Sequence, residues 1–119
     1  MQGAVAGLAF EHFILMELVA FLGLNELDSP INYFRTNSGL EVDFILNEGD
    51  CAIEVKITEN PALSDLKGLR AFCKDYKPKH ALVVCLCPRR RLLATVNGVD
   101  IVAIPWQIFL KALWEREYF

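Results

Sequence analysis

The sequence predicts an α/β (α+β) domain in which a mixed sheet is flanked by helices, and three stretches carry that prediction. Residues 4–24 are dominated by helix formers and apolar side chains. Residues 40–57 alternate apolar and polar positions on both sides of Asn47-Glu-Gly-Asp50, as two half-buried strands of a hairpin require. Residues 65–76 put Leu66, Leu69, Phe72 and Cys73 on one helical stripe, and the apolar run His80–Cys87 then reads as a buried central strand. The predicted order is helix, three-strand meander, helix, strand, strand, helix.

Bulk properties narrow the class. A chain of 119 residues makes one domain, 1–119, large enough to bury a core without disulfides or metals as staples. Its apolar fraction of 54% lies above the usual range, and mean hydropathy is +0.30, so some surface is expected to be hidden against a partner. Net charge is −3 and the pI about 5.3, which excludes an overall basic field of the nucleic-acid-binding kind. The four cysteines form no paired CxxC motifs. They read as reduced thiols of a cytoplasmic protein.

Taking the elements in order, the first helix is long enough to span a membrane. Glu11, His12 and Glu17 interrupt it, and a charge at mid-span is costly. It also lacks the basic flank and small-residue cleavage site of a signal peptide. No membrane contact is therefore expected. A helix apolar nearly all round is buried on more than one side. One side can cover the hairpin, and the other needs a cover from outside. With no Ser, Thr, Asp or Asn cap at its start, the expectation is a domain cut from a longer protein, with a homodimer through this helix as the alternative.

Asn25–Pro30 is a turn-rich link, Ile31–Thr36 a strand, and Asn37-Ser-Gly39 a turn into the hairpin. After Asn60-Pro61 breaks the third strand, Ser64 is the expected N-cap of the second helix. Lys67, Arg70, Lys74 and Lys77 occupy that helix's polar surface, where they either neutralise phosphates or are simply solvated. Cys85 and Cys87 share a face of the central strand, and core packing is favoured over zinc. Arg89-Arg-Arg91 reads as a basic loop, Asn97-Gly98 as a turn and Val99–Ile104 as the last strand. Pro105 suits the first turn of a helix running from Trp106 to Trp114, with Phe109, Leu110, Leu113 and Trp114 as its apolar stripe.

The hairpin carries the chemistry. A two-residue turn at Glu48-Gly49 and a four-residue loop over Asn47–Asp50 give the same register. Asp43 then faces Glu54 and Glu41 faces Lys56, while Val42 faces Val55 and Phe44 faces Ile53 on the opposite, apolar side. Facing side chains have Cβ atoms roughly 4.5–5.5 Å apart, and like charges there destabilise. The Asp43–Glu54 pair needs a positive mediator. Lys56, diagonal to Asp43, is one, and a hard divalent cation such as Mg²⁺ is the other.

The pattern Asp-(x)10-Glu-x-Lys resembles the PD-(D/E)XK nuclease superfamily. More narrowly, Tyr33-Phe-Arg-Thr36, Gly39-Leu-Glu-Val-Asp-Phe44, Ile53-Glu-Val-Lys56, Asp65-Leu-Lys-Gly-Leu-Arg-Ala-Phe72 and Ile104-Pro-Trp106 resemble the domain of unknown function that follows the ATPase module in many prokaryotic AAA+ ATPases. The resemblance implies a restriction-endonuclease-like αβββαβ core with an extra C-terminal strand and helix. It implies catalysis by Asp43, Glu54 and Lys56, with Mg²⁺ or Mn²⁺ held by Asp43 and Glu54. Glu11, four residues after Gly7, matches a first-helix glutamate that joins the metal site; an ordinary surface glutamate is the alternative. Glu17 lies roughly 120° away around the helix, so the two cannot both point squarely into one site, and Glu11 is the one expected there. Lys67, Arg70, Lys74 and Arg35 are the implied DNA-backbone contacts, although Arg35 can equally pair with the acids or stay solvated. The expected function is metal-dependent hydrolysis of DNA beside the ATPase module of the same longer chain. The alternative is an inactive nuclease-fold module that docks DNA or that ATPase. A third option leaves the acids as a solvated face, with Glu41 and Glu54 contacting Lys56.

Overall fold

The hairpin register places the other strands around it. In the computed structural model, which describes residues 2–119, β2 (Glu41–Leu46) and β3 (Cys51–Val55) pair antiparallel with Phe44 opposite Ile53, Ile45 opposite Ala52 and Leu46 opposite Cys51. The connection is the four-residue alternative, a short 3-10 turn over Asn47–Gly49 with Asn47, Glu48 and Gly49 all at positive φ. β1 (Asn32–Arg35) completes the antiparallel meander. β4 (His80–Cys85) then lies parallel to β3, and β6 (Val99–Pro105) parallel to β4.

One strand was not expected. Arg91–Val96 forms β5, turns back at Asn97-Gly98 and pairs antiparallel with β6. The sheet therefore has six strands in the order β1-β2-β3-β4-β6-β5, and the basic run at Arg89–Arg91 leads into its edge strand. Asn-Gly between two apolar runs is a strong hairpin signal. Here it joins β5 to β6, where the local pattern alone suggests only a turn before a last strand.

Three helices flank the sheet. α1 (Gln2–Leu24) and α3 (Trp106–Trp114) cover one face, where Ile14, Leu18, Phe21, Phe109 and Leu113 pack on Phe44, Leu46, Ile53 and Val84. α2 (Lys67–Tyr76) covers the other, with Leu66, Leu69, Phe72 and Cys73 packed on Val42, Ile45, Ala52 and Val83. Ser64 does not cap α2. It sits inside a 3-10 turn over Leu63–Leu66, where the Asp65 carboxylate accepts the Ala62 N–H at 3.1 Å. Gly68 is required by close approach: a Cβ there would overlap the Glu41 backbone.

Two packing expectations are corrected. The hairpin does not have one apolar and one acidic face, because β3 lies inside a sheet covered on both sides and all five of its residues are buried. Val42 also leaves the side of Phe44. Asn32 sits opposite Ile45 and Phe34 opposite Val42, so β2 carries one extra residue in this interval. The bulge turns Val42 towards α2 while Phe44 faces α1.

Over Val5–Leu24, α1 is buried along one side. Ile14, Leu18 and Phe21 are fully buried, whereas Val5, Leu8, Met16, Val19 and Leu24 are exposed. By length and composition Val5–Leu24 could cross a membrane, and 22% of that span is buried in this fold. All four cysteines are free and buried, as core packing predicts. Burial pushes the Cys51 thiol up to about 12 and those of Cys73 and Cys85 to about 11, so they stay protonated.

Candidate functional site

The β2–β3 ladder stops at Phe44 and Ile53, and side chains take over beyond it. The Val55 N–H donates to Asp43 Oδ2 at 2.8 Å, and the Asp43 N–H donates to Glu54 Oε1 at 3.2 Å. The two carboxylates thus cross between the strands and replace the carbonyl acceptors that a continuing ladder would supply. The bulge in β2 falls at this point, which frees Asp43 from regular pairing. On its other side β3 stays attached, with the Lys56 N–H donating to the Val84 carbonyl at 3.0 Å.

Glu54 is the one charged residue in the buried class among the described residues. Burial first, and then the Asp43 charge, push its carboxyl up to about 8; Lys56 and the Asp43 N–H oppose that rise. The Lys56 Nζ lies 3.7 Å from Glu54 Oε2, a long charge contact. Glu11 reaches the same place from α1. Its carboxyl is pushed up to about 7 by burial, then by a hydrogen bond shared with Asp43 and by the Asp43 charge. A proton held among these acids relieves their repulsion, which is the role a cation would otherwise fill.

Glu11, Asp43, Glu54 and Lys56 line one cleft of about 480 Å³, together with the apolar Leu8 and Ile57. An adjoining cleft of about 340 Å³ shares Glu11, Glu41 and Asp43 and extends to Tyr33 and Arg35. Lys67, Arg70 and Lys74 are not part of either. They line a separate groove along α2 with Leu40 and Val96.

Glu41 does not turn to Lys56. It pairs with Arg35 across the β1–β2 ladder at 2.9 Å, because β2 and β3 have parted by that point. Of the basic run, Arg90 is held by Glu117 at 3.3 Å and Arg91 by Asn60 at 2.8 Å. Glu17 accepts from the Trp114 indole at 3.4 Å, away from the acid cleft. His12 is exposed.

The oxygen donors suit a hard cation in type. Asp43 Oδ2 and Glu54 Oε1 are committed to backbone N–H groups, and among the described residues no group of three or more His, Cys, Asp or Glu is already set to hold a metal ion. Sequence reasoning gave Tyr33 no role. Its signal is an aromatic two positions before Arg35 on an edge strand, and therefore on the same face.

A family model described as a domain of unknown function, DUF4143, matches residues 6–108. No curated protein matches the chain.

Proposed function

The chain belongs to the DUF4143 family, whose function is unassigned, and we propose that it is a nuclease-like domain that hydrolyses phosphodiester bonds of DNA with a divalent metal. The observation that carries this reading is the crossed pair Asp43 and Glu54 at the splayed end of two strands, with Lys56 and Glu11 in the same cleft. Like-charged acids beside one another are destabilising without a functional return, and carboxyls held as high as those of Glu11 (about 7) and Glu54 (about 8), by burial and the neighbouring Asp43, are typical of working sites. The PD-(D/E)XK resemblance and the AAA+ ATPase setting, stated from the sequence, support the same assignment.

Asp43, Glu54 and Glu11 would hold Mg²⁺ or Mn²⁺, which when bound polarises a phosphoryl oxygen and acidifies a water. Lys56 orients the attacking water through its Nζ or stabilises charge building on the phosphate. Lys67, Arg70 and Lys74 give phosphates a second, sequence-independent hold. Calorimetry with Mg²⁺ or Mn²⁺, followed by cleavage of plasmid and oligonucleotide DNA, tests the reading. Heat of binding and cleavage should both be lost in Asp43→Ala. No metal binding at millimolar concentrations, or undiminished cleavage by that variant, would end it.

A second reading has its own observation. The exposed apolar side of α1 favours an inactive module that docks on another protein surface, such as the ATPase module of a longer chain. It expects association without metal-dependent cleavage.

A further inference from the structure

The adjoining cleft points to a substrate class. Tyr33 is 69% exposed on β1, the edge strand of the sheet. Its neighbour Phe34 turns the other way and packs edge-on against Phe72 and Tyr76 of α2. Tyr33 has no aromatic partner among the described residues; instead the Arg35 guanidinium lies over its ring, 5.6 Å from the centroid. Glu41 fixes that guanidinium from the next strand at 2.9 Å. Carboxylate, guanidinium and ring form a braced assembly whose aromatic surface remains largely open.

We propose that Tyr33, braced by Arg35 and Glu41, is a stacking platform for an unpaired base, so that the substrate of the neighbouring acid cleft is single-stranded DNA. This rests on the hydrolytic reading above. A base within a duplex has both faces covered by its own stack, whereas an unpaired base offers a face to an aromatic ring. The cleft holding Tyr33 and Arg35 shares Glu11, Glu41 and Asp43 with the cleft of Glu54 and Lys56. A strand with one base on Tyr33 therefore runs into the carboxylates. In the acid cleft, Leu8 and Ile57 are 68% and 43% exposed. They suit base and sugar faces better than the phosphate wall of a duplex.

The test is a fluorescence-anisotropy titration of the full chain with a labelled oligo-dT strand and a duplex of equal length. It is run at low salt in EDTA and again in Mg²⁺, with Tyr33→Ala and Tyr33→Phe beside the unaltered protein. The strand should bind more tightly than the duplex. Tyr33→Ala should weaken strand binding about 5- to 150-fold, and Tyr33→Phe should retain it, because only the ring is used. Equal affinity for both forms, unmoved by Tyr33→Ala, overturns the platform and leaves metal-dependent hydrolysis standing. If neither the strand nor the duplex binds under either condition, the platform and the parent reading fall together. Tyr33 is exposed, so a thermal melt of each variant should match the unaltered protein.

Discussion

The two ends of the β2–β3 hairpin are built from the same strands and held by different chemistry. At the closed end, backbone N–H and carbonyl groups pair through Phe44–Ile53, Ile45–Ala52 and Leu46–Cys51, with apolar side chains packed on both faces. At the open end, Asp43 and Glu54 accept the N–H groups themselves. None of these six paired residues changes charge between pH 5 and pH 8. The open end depends on two acids whose charges repel, and so on protons or cations. A fold can thus set one end of a hairpin as framework and leave the other responsive.

The largest expected effect lies at the closed end. Ile53 is fully buried, and Ile53→Ala should lower stability by about 2–5 kcal/mol, measured by urea unfolding. The loss should be equal at pH 5 and pH 8. A loss that varied strongly with pH would break the comparison, because it would tie the closed end to the acids.

Glu54→Gln should act in the opposite direction. The amide keeps an oxygen for the Asp43 N–H while removing the buried charge. Burial and Asp43 raise the Glu54 carboxyl from 4.5 to about 8. Between those values the native state holds a proton that the unfolded chain has shed. Stability of the metal-free protein therefore falls as pH rises through this window. Thermal melts in EDTA should show that fall in the unaltered protein and a much flatter profile in Glu54→Gln. At pH 8 the variant should be the more stable by roughly 2–4 kcal/mol. It should also lose Mg²⁺-dependent cleavage, so that stability and activity move apart. A less stable variant at pH 8 would mean that the charge on Glu54 holds the strands together.

The contrast also separates what the sequence reveals from what it hides. Strand alternation and turn chemistry are local, so the register at Asn47–Asp50 was legible, and with it the meeting of Asp43, Glu54 and Lys56. The bulge was not, since neither Gly nor Pro marks Asp43–Phe44. It arises from how β1 lies along β2, and it moves Val42 to the other face. Glu41 was assigned to Lys56 by extending the ladder past the point where the strands part. The partner it finds, Arg35, is supplied by β1. The strand at Arg91–Val96 was legible through Asn97-Gly98, but its leading arginines suggested a loop. Burial of β3 on both faces depends on α2 and β4, which no window around the hairpin contains.

The smallest expected effect concerns the Arg35–Glu41 pair, which borders the open end without supporting it. Both side chains are more than half exposed, at 63% and 54%. An ion pair in such a position contributes about 0.2–1 kcal/mol. Arg35→Gln and Arg35→Lys should therefore melt close to the unaltered protein. Their binding to an unpaired strand should differ. Loss of the cation in Arg35→Gln should reduce the dependence of log affinity on log salt by about one. Arg35→Lys should keep that slope yet still bind more weakly, because a compact ammonium lacks the planar, delocalised group that a guanidinium offers an aromatic face. If Arg35→Gln instead lowers stability by more than about 1 kcal/mol, the ion pair is part of the framework. The open end would then be clamped from β1 as well as crossed by carboxylates, and its response to pH should weaken accordingly.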